Sequence, residues 1–387
     1  MIKLRCVIMR GGTSKAVFFH KNELPSDPKL RDKVVLDVFG SPDIREIDGL
    51  GGANAQTSKL SIISRYNGPE ADVEYNFGQV MFDEPLVSYG MNCGNISAAV
   101  GPFAIDEGLV KAVEPITSVR VFNTNSQKVL IIHTPVRDGK AVVSGDYHID
   151  GVPGTAAKIG VDMTHCDGTR GKGVLFTGNP KDTFEIPDVG EIEWSLVDLA
   201  NPTVFVKAGA VGLKGTEEVK DILNDKEIGR KMEAIRSHAG VVYGVAKDEH
   251  SVDVEWPVTP FSAIVMPPCD YTTIQGEKIK AADMSLRAII WAAHQYHPAY
   301  SGTICASTGV GALIPGTVVN EVLEDVAKKT GEIKIGHPSG IMECDAEVEM
   351  KDRQATPKKA IYYRTARRIM EGYVYLKPWT MSQDLHM

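Results

Sequence analysis

The sequence contains little cysteine: its 387 residues include six, and none of them forms a CxxC pair. Small disulfide-stabilised domains are dense in cysteine, and zinc knuckles hold their cysteines in closely spaced pairs. The spacing therefore predicts neither a disulfide framework nor a zinc knuckle, and it indicates reduced thiols in a cytoplasmic protein. The six residues are Cys6, Cys93, Cys166, Cys269, Cys305 and Cys344.

Long apolar runs and an excess of positive charge are also missing. No stretch approaches the roughly 20 apolar residues that cross a membrane. The first ten residues lack a signal-peptide core and instead indicate a strand. The 42 lysines and arginines are outnumbered by 50 acidic residues, so the net charge is -8. This balance argues against nucleic-acid and membrane partners, although a local basic pocket would still bind a small anion.

Common cofactor and hydrolase motifs are absent or incomplete. Residues 9–15 resemble a phosphate loop only superficially, because the GxxxxGK[ST] spacing is missing. Residues 49–54 match GxGxxG weakly and do not lie between a strand and a helix, which argues against a dinucleotide fold. There is no GxSxG elbow. Residues 162–167 contain metal-ligand types, but neighbours in one loop rarely converge, so we predict no metal site.

The chain does contain a repeated order of elements. Each half is predicted to have a strand, a polar turn, a strand, a helix, further strands, and a glycine-containing turn that opens a helix of small residues. These turns fall at residues 91–101 and 300–309. The pattern predicts an α+β fold of two similar β-rich lobes, each wrapped round a central helix. We expect the lobes at residues 1–185 and 186–387, with the last strand able to return to the first lobe.

Hydropathy periodicity predicts the individual elements. Helices are expected at residues 25–39 (with Ser26 as N-cap), 217–237 and 285–294. Strands are expected at residues 3–9, 16–19, 60–64, 73–81, 118–123, 128–135, 141–147, 193–198, 204–206 and 261–266, with a loop-rich span at 150–188. Two like lobes would direct the N-termini of their central helices at a shared cleft, which would suit a small anion.

Three side chains stand out as candidates for proton transfer. Cys93 precedes the first small-residue helix, where free backbone N–H groups lower the pKa of a thiol; the alternative is a small core residue. Lys59 opens an apolar strand and is either a solvated strand-edge lysine or a desolvated base. His297 precedes the second polar turn and could assist there, or pair with Cys93. A helix-capping role for His294 or His297 is an equal alternative.

Six short motifs are spread along the chain. They are MRGGTSK at 9–15, DGLGG at 48–52, TSK at 57–59, FGQ at 77–79, NCGN at 92–95 and RTARR at 364–368. Together they resemble the PrpF-like family of 2-methylaconitate isomerases, methylitaconate Δ-isomerases and oxalomesaconate tautomerases, over nearly the whole chain. The resemblance implies the diaminopimelate-epimerase-like fold with its active site between the lobes, no cofactor, and small unsaturated di- or tricarboxylate substrates. It also implies that Lys59 and Cys93 are the catalytic pair.

One departure from the wider superfamily bears on the reaction. Diaminopimelate epimerases have a second cysteine in the turn before the second central helix, whereas here that turn is Tyr300-Ser301-Gly302-Thr303 and Cys305 follows it. This departure argues against a two-cysteine racemase. We therefore expect a cofactor-independent isomerase that shifts a C=C bond by proton transfer. An amino-acid racemase or epimerase, or a non-catalytic carboxylate-binding protein, is the alternative, and a homo-oligomer is compatible with each.

The same motifs provide candidates for holding the substrate carboxylates. Backbone N–H groups at the two helix starts, and the hydroxyl and amide side chains of the motifs, suit a developing negative charge. The predicted substrate-binding residues are Thr13, Ser14, Gln79, Gly94, Asn95, Ser301, Gly302 and Thr303, with Arg10 as a further candidate.

Overall fold

The computed structural model describes residues 2–90, 92–378 and 380. The chain divides into two compact units, Met1–Val161 with Arg364–Met387, and Asp162–Tyr363. The division thus falls before residue 185, because residues 162–185 pair within the second unit. There, Asp182–Ile186 forms a ladder with Gly190–Leu199, and Asp167 and Leu175 form bridges to that same strand.

Strands outnumber helices in the described part of the chain, and both are numbered in sequence order. The strands are β1 (Lys3–Gly11), β2 (Ser14–His20), β3 (Lys59–Arg65), β4 (Val73–Val80), β5 (Val87–Ser88), β6 (Ile116–Asn123), β7 (Lys128–Arg137), β8 (Lys140–Ala141), β9 (Ile159–Asp162), β10 (Asp182–Ile186), β11 (Gly190–Leu199), β12 (Asn201–Lys207), β13 (Phe261–Met266), β14 (Tyr271–Thr272), β15 (Lys278–Ile279), β16 (Leu286–Ala292), β17 (Gln295–Tyr296), β18 (Glu332–His337), β19 (Gly340–Lys351), β20 (Gln354–Arg364) and β21 (Ala366–Tyr375). The α-helices are α1 (Pro28–Phe39), α2 (Gly94–Asp106), α3 (Val219–Asn224), α4 (Lys226–Tyr243), α5 (Glu249–Glu255), α6 (Gly302–Leu313), α7 (Val318–Val322) and α8 (Asp325–Thr330). Short 3-10 helices span Lys21–Glu23, Ala208–Val211 and Ala281–Asp283.

In the first unit, one curved sheet surrounds α2. Its ladders run β21-β1-β2-β3-β4-β6-β7, so the last strand of the chain lies beside the first. Helix α2 contacts β21, β1 and β2 on one side and β6 and β7 on the other. Its residues 96–105 are all buried. A Cβ on Gly101 would lie 2.4 Å from the Thr134 hydroxyl oxygen, so the close packing of α2 on β7 requires glycine there.

Helix α1 covers the other face of this sheet. Its apolar side, which includes Val34 and Val38, packs in one cluster with alternate residues of β2 and β3. The predicted helix start at residue 25 and the predicted N-cap Ser26 are wrong. The helix begins at Pro28, because the Asp27 carboxylate accepts a hydrogen bond from the Leu30 N–H at 2.8 Å and Pro28 suits the first helical position.

The second unit repeats this arrangement. Its ladders run β10-β11-β12-β13-β16-β18-β19-β20. Helix α6 is buried from Gly302 to Ala312 and contacts β11, β12 and β19. Helix α4 packs through Met232 and Ile235 on the cluster that contains Trp194. The predicted fold class, α+β with a central helix in each of two β-rich units, is confirmed.

The clearest error of the sequence-based assignment lies at residues 285–294, which contain strand β16 and not a helix. All seven residues of Leu286–Ala292 are buried, and they pair with both β13 and β18. A strand covered on both faces is a continuous apolar run, which periodicity does not distinguish from a buried helix.

Three further segments differ from the assignment. The helix predicted at 217–237 is two helices, because Asp225 caps a second one. The strand predicted at 141–147 extends only over Lys140–Ala141, and the span predicted as loop contains β9 and β10. Within the described part of the chain, no helix has the length and apolar character that crossing a membrane requires.

Candidate active site

Lys59 is the first residue of β3 and lies between two neighbouring strands. It is the register partner of Ala16 on β2 and of Gln79 on β4. Leu60 and Ile62 belong to the cluster beneath α1. Because side chains alternate along a strand, Lys59 points to the face that holds α2.

The same alternation places other predicted residues on this face. Val17 and Phe19 pack beneath α1, and Phe18 contacts Phe103 of α2 with ring centroids 5.3 Å apart. Ser14 is four residues before Phe18 on the same strand, so its side chain also points to the α2 face. Gln79 points the same way, because its neighbour Val80 belongs to the cluster under α1.

Neutral groups surround the Lys59 amine. Its Nζ donates to Gln79 Oε1 at 2.7 Å and lies 5.1 Å from the ring centroid of Phe77. The Gln79 amide is itself oriented, since its Nε2 donates to the Ser58 carbonyl at 2.9 Å. Lys59 is only 8% exposed, and it forms no ion pair with any residue that the structure describes. The amine is therefore fixed in place without a permanent counter-ion.

A buried carboxylate supports the loop that precedes Lys59. Glu46 is 2% exposed, and its Oε2 accepts hydrogen bonds from the Ser58 hydroxyl and, at 2.6 Å, from the Ala53 N–H. A Cβ on Gly51 would lie 2.1 Å from the Glu46 carboxyl carbon, so the glycine-rich loop fits closely over this group. Glu46 was not among the predicted site residues. The closely spaced glycines at 49, 51 and 52 were the available signal, because they indicate close approach of another group to the backbone.

Cys93 occupies the N-cap position of α2, which confirms the predicted position of this cysteine at the start of a buried helix. Its carbonyl accepts hydrogen bonds from the Ser97 N–H at 2.9 Å and the Ser97 hydroxyl at 3.0 Å. The thiol makes no capping hydrogen bond and is half-buried. The backbone of Cys93 is therefore fixed by the helix, while its sulfur is not engaged in capping it.

The two asparagines of the NCGN motif attach this cysteine to different parts of the first unit. Asn92 Oδ1 accepts from the buried Asn123 Nδ2 at 2.9 Å. Asn95 donates to Thr13 Oγ1 at 3.1 Å and accepts from Arg364 Nε at 2.9 Å. The motif therefore brings Thr13, Asn95 and Arg364 together, and Arg364 was not among the predicted site residues.

The glycines of the MRGGTSK turn between β1 and β2 allow this contact. A Cβ on Gly11 would lie 2.5 Å from the Asn95 carbonyl oxygen, and one on Gly12 would lie 2.2 Å from Asn95 Oδ1. Gly12 also has φ +51°, a conformation that favours glycine. The MRGGTSK turn thus packs directly on the start of α2.

Arg10 does not join this group. Since Gly11 faces α2, the neighbouring Arg10 side chain points to the opposite face of the sheet. Its guanidinium donates to the Gly12 carbonyl at 2.8 Å and to the backbone and hydroxyl oxygens of Thr365, each at 3.0 Å.

In the second unit, the predicted turn opens α6. Ser301 is the N-cap residue, and its hydroxyl lies 3.0 Å from the Thr303 hydroxyl. Thr303 Oγ1 also accepts from Asn201 Nδ2 at 2.8 Å. A Cβ on Gly302 would lie 2.3 Å from the Tyr362 ring, which explains the glycine at this position.

The two histidines near this turn are not at a helix end, so the helix-capping alternative is wrong. His297 follows β17, and its ring Nδ1 accepts from the Ala299 N–H at 3.1 Å. His294 lies in the turn between β16 and β17, with its Nδ1 3.5 Å from an Asp253 oxygen. The auxiliary role of His297 stays a prediction.

One group in the described part of the chain has the composition of a metal site. Ligand atoms of Glu233, Asp253 and His294 lie within 4.8 Å of one another. The Glu233 oxygens are already hydrogen-bonded, one to the buried Arg236 guanidinium and the other to Trp291 Nε1. These bonds assign the cluster a structural role between α4, α5 and β16.

The comparisons with known proteins agree with the motifs. The family model described as PrpF protein matches residues 1–377. The 3-methylitaconate isomerase of Eubacterium barkeri is 46% identical over 377 residues, which are 97% of this chain and 98% of the relative. The 2-methyl-aconitate isomerase of Shewanella oneidensis is 37% identical over 388 residues, with 96% of each chain covered.

A solved structure gives the same result. The crystal structure of a methylitaconate-delta-isomerase matches with a TM-score of 0.92 and 45% sequence identity, covering 100% of this chain and 98% of that one. The family resemblance inferred from the motifs is thereby confirmed, and the chain belongs to the PrpF protein family.

Proposed function

We propose that the protein is a cofactor-independent isomerase that moves a C=C bond by proton transfer in a small unsaturated di- or tricarboxylate, with 3-methylitaconate as the first candidate. The observation that carries the proposal is the pair of acid–base groups in one unit. Lys59 is held by neutral partners on the α2 face, and Cys93 lies at the N-terminus of α2. The relative from Eubacterium barkeri, named a 3-methylitaconate isomerase, supports this choice of substrate.

Lys59 is suited to exchanging a proton repeatedly. Its hydrogen bond to the Gln79 carbonyl oxygen and its position over the Phe77 ring hold the amine in one place. Because neither partner is charged, loss of a proton breaks no ion pair, and return of the proton requires no rearrangement. We therefore assign Lys59 as one member of the acid–base pair.

Cys93 is the second member. The partial positive charge at the N-terminus of α2 favours a carboxylate or enolate close to it. The half-buried sulfur is not used in capping the helix. One thiol and one amine provide two groups, which suffices for removing a proton at one carbon and delivering one at another.

The proposed reaction conserves all atoms. A base removes a proton from the saturated carbon next to the C=C bond, and the electron pair spreads through that bond to the neighbouring carboxylate. An acid then delivers a proton to the far end of the allylic unit, and the double bond moves by one position. In 3-methylitaconate, the proton leaves the carbon bearing the methyl group and one is returned at the terminal methylidene carbon.

Donors for the carboxylates are present on the same face. The start of α2 is an anion-favouring helix end, which includes the backbone of Gly94 and Asn95. Thr13 is held next to Asn95, and Ser14 is on the same face. The N-terminus of α6, with Ser301, Gly302 and Thr303, is a second helix end of this kind, and we propose it as a further carboxylate-binding element.

The test is hydrogen exchange during turnover in D2O. With 3-methylitaconate, deuterium is expected at the allylic and α positions, and Lys59→Ala and Cys93→Ser are each expected to lose about 10²–10⁴-fold in rate. Lys207→Ala and Cys269→Ser serve as controls, because Lys207 is a strand lysine of the second unit and Cys269, like Cys93, is a half-buried free cysteine. Full exchange and turnover in both Lys59→Ala and Cys93→Ser would overturn the assignment.

A racemase with two cysteines is the less favourable alternative. Cys305, the cysteine nearest the second turn, is 0% exposed, and its sulfur lies 3.7 Å from the Glu343 carbonyl oxygen as a hydrogen-bond donor. A thiol in that position is poorly placed to receive a proton from substrate. Iodoacetamide distinguishes an isomerase from the remaining alternative, a non-catalytic carboxylate-binding protein. Alkylation of Cys93 should inactivate an enzyme, and a dicarboxylate should protect it. A pure binding protein has no activity to lose.

A further inference from the structure

Three cations lie side by side on the first sheet. Arg10 of β1 is the direct register partner of Lys15 on β2 and of Arg367 on β21. Directly paired residues project to the same face of a sheet, and like charges in such pairs are destabilising. Repulsion within this row therefore destabilises the free protein, and a bound anion would relieve that repulsion.

Arg10, the middle cation of the three, is held in place by uncharged hydrogen-bond acceptors. Arg10 uses one guanidinium nitrogen to donate to the Gly12 carbonyl and to both oxygens of Thr365. Burial lowers the pKa of the Arg10 guanidinium, and the nearby Arg367 lowers it further. Its charge is thus held in a fixed orientation but is not neutralised by a carboxylate.

A cavity of about 740 Å³ opens beside this row. Arg10, Arg367 and Arg137, the last residue of β7, line it together with a single acidic residue, Asp138. Arg137 and Arg367 are exposed, and neither side chain has a hydrogen bond or ion pair to the residues that the structure describes. Three guanidinium groups therefore face one cavity with one opposing negative charge.

The cavity lies on the opposite side of the sheet from the acid–base pair. Gly11 faces α2, so Arg10 and its partner Arg367 face away from it. On β7, Ile132 and Thr134 contact Gly101 of α2. Arg137 is three residues after Thr134 on the same strand, so its side chain points to the opposite face, away from α2. The arginines are thus separated by the sheet from the face that holds Lys59.

We propose that Arg10, Arg137 and Arg367 form a second anion-binding site, which takes a small oxyanion with two or more carboxylate or phosphate groups. Guanidinium groups bind both kinds of acid through paired N–H donors. Binding at this site is independent of the proposed isomerase activity, because it uses the other face of the sheet. The protein as a whole is acidic, with net charge -8, so the attraction is local to this cavity.

The test is isothermal titration with citrate and with pyrophosphate, at constant ionic strength set by chloride and with acetate as the monovalent comparison. The Arg137→Gln/Arg367→Gln double variant is expected to bind either probe at least roughly tenfold more weakly than the wild type. Both side chains are exposed and bond to no described residue, so their replacement leaves the fold intact. Arg10 is not replaced, because it holds the first turn to Thr365.

Two controls make the outcome decisive. Arg45→Gln removes one positive charge from an exposed position outside the cavity and should bind as the wild type does. Lys59→Ala should also keep binding, so failure of the isomerase proposal would not affect this result. Saturable binding of citrate, pyrophosphate or both that is lost in the double variant supports the site and identifies its acid group. Equal binding by the double variant, or none by the wild type at millimolar concentration, overturns it.

Discussion

The Lys59 ammonium and the Gln79 side-chain oxygen are hydrogen-bonded at 2.7 Å between directly paired residues of adjacent strands. The register of β3 and β4 sets this contact, because the two Cα atoms are opposite one another and both side chains leave the same face. The second hydrogen bond of Gln79, to the Ser58 carbonyl, fixes which end of the amide meets the lysine.

Replacing Gln79 by a carboxylate should change the pH dependence of the reaction. In Gln79→Glu the amine would gain a counter-ion at hydrogen-bond distance, and an opposite charge this close favours the charged amine over the neutral one. The limb of the pH profile of kcat/KM that reports this group should move to higher pH. Gln79→Met removes the hydrogen bond without adding charge, so a similar displacement in that variant would contradict the electrostatic explanation.

Loss of the buried Glu46 carboxylate should weaken both folding and catalysis. Glu46→Ala leaves the Ser58 hydroxyl and the Ala53 N–H without their acceptor, which costs about 1–3 kcal/mol in the free energy of unfolding. Because Ser58 precedes Lys59, kcat should fall as well, while the KM should change less. Urea unfolding and steady-state kinetics measure the two effects, with exposed Glu70→Ala as the matched control. An unchanged kcat would remove the positioning role from Glu46.

The acid stability of the first unit should depend on Glu107. Burial raises the pKa of this carboxyl, but hydrogen bonds from Arg5, His20 and Arg368 outweigh it and lower the pKa to about 2. The folded state therefore binds the Glu107 proton more weakly than the unfolded state, whose pKa is about 4.3. The stabilisation is complete above about pH 5 and is lost as the pH falls from there to about 2.

Comparing the wild type with Glu107→Gln measures this contribution. The difference in the free energy of unfolding should be on the order of 2 kcal/mol at pH 7, after allowance for solvent screening of the partly exposed arginines. It should shrink as the pH falls below 4. A difference that stays constant between pH 7 and pH 3 would mean that the ionised carboxylate is not the stabilising species.

Local signals predicted the parts of the site that depend on neighbouring residues in the chain. The start of α2 at Gly94 follows from a polar cysteine loop before a run of small residues, and Lys59 lies at the start of an apolar strand. The glycines at 49, 51 and 52 indicate that some group approaches this loop closely, but they do not identify Glu46 as that group. A carboxylate in a loop is ordinarily exposed, and its burial depends on Ser58 and Ala53 folding over it.

The positions that were misassigned or missed from the sequence depend on pairing between distant segments. Arg10 shares a motif with Thr13 and Ser14, yet it faces the other side of the sheet, where its partner is Arg367. Arg364 reaches Asn95 only because the end of the chain returns to the first unit. The segment Leu286–Ala292 shows the same limit for secondary structure, since its burial on both sides removed the alternation that marks a strand.

Replacing Gly11 by alanine tests whether the MRGGTSK turn between β1 and β2 positions Cys93. The new methyl group would lie 2.5 Å from the Asn95 carbonyl oxygen and 3.2 Å from the Ala99 side chain, so α2 or β1 must move. Overpacking of this kind costs about 1–3 kcal/mol in the free energy of unfolding. It should also displace the N-terminus of α2, so the rate of Cys93 alkylation by iodoacetamide should change together with kcat.

Gly209→Ala is the matched control, because a Cβ there would meet nothing within 4 Å and the residue does not have a positive φ. This variant should keep the unfolding energy, alkylation rate and kcat of the wild type. If Gly11→Ala is destabilised yet its thiol reactivity and kcat match those of the wild type, the turn supports folding alone. If the free energy of unfolding, the alkylation rate and kcat all decrease in Gly11→Ala, the contact between Gly11 and Asn95 sets the position of the thiol. No other residue of the turn has been changed in this variant.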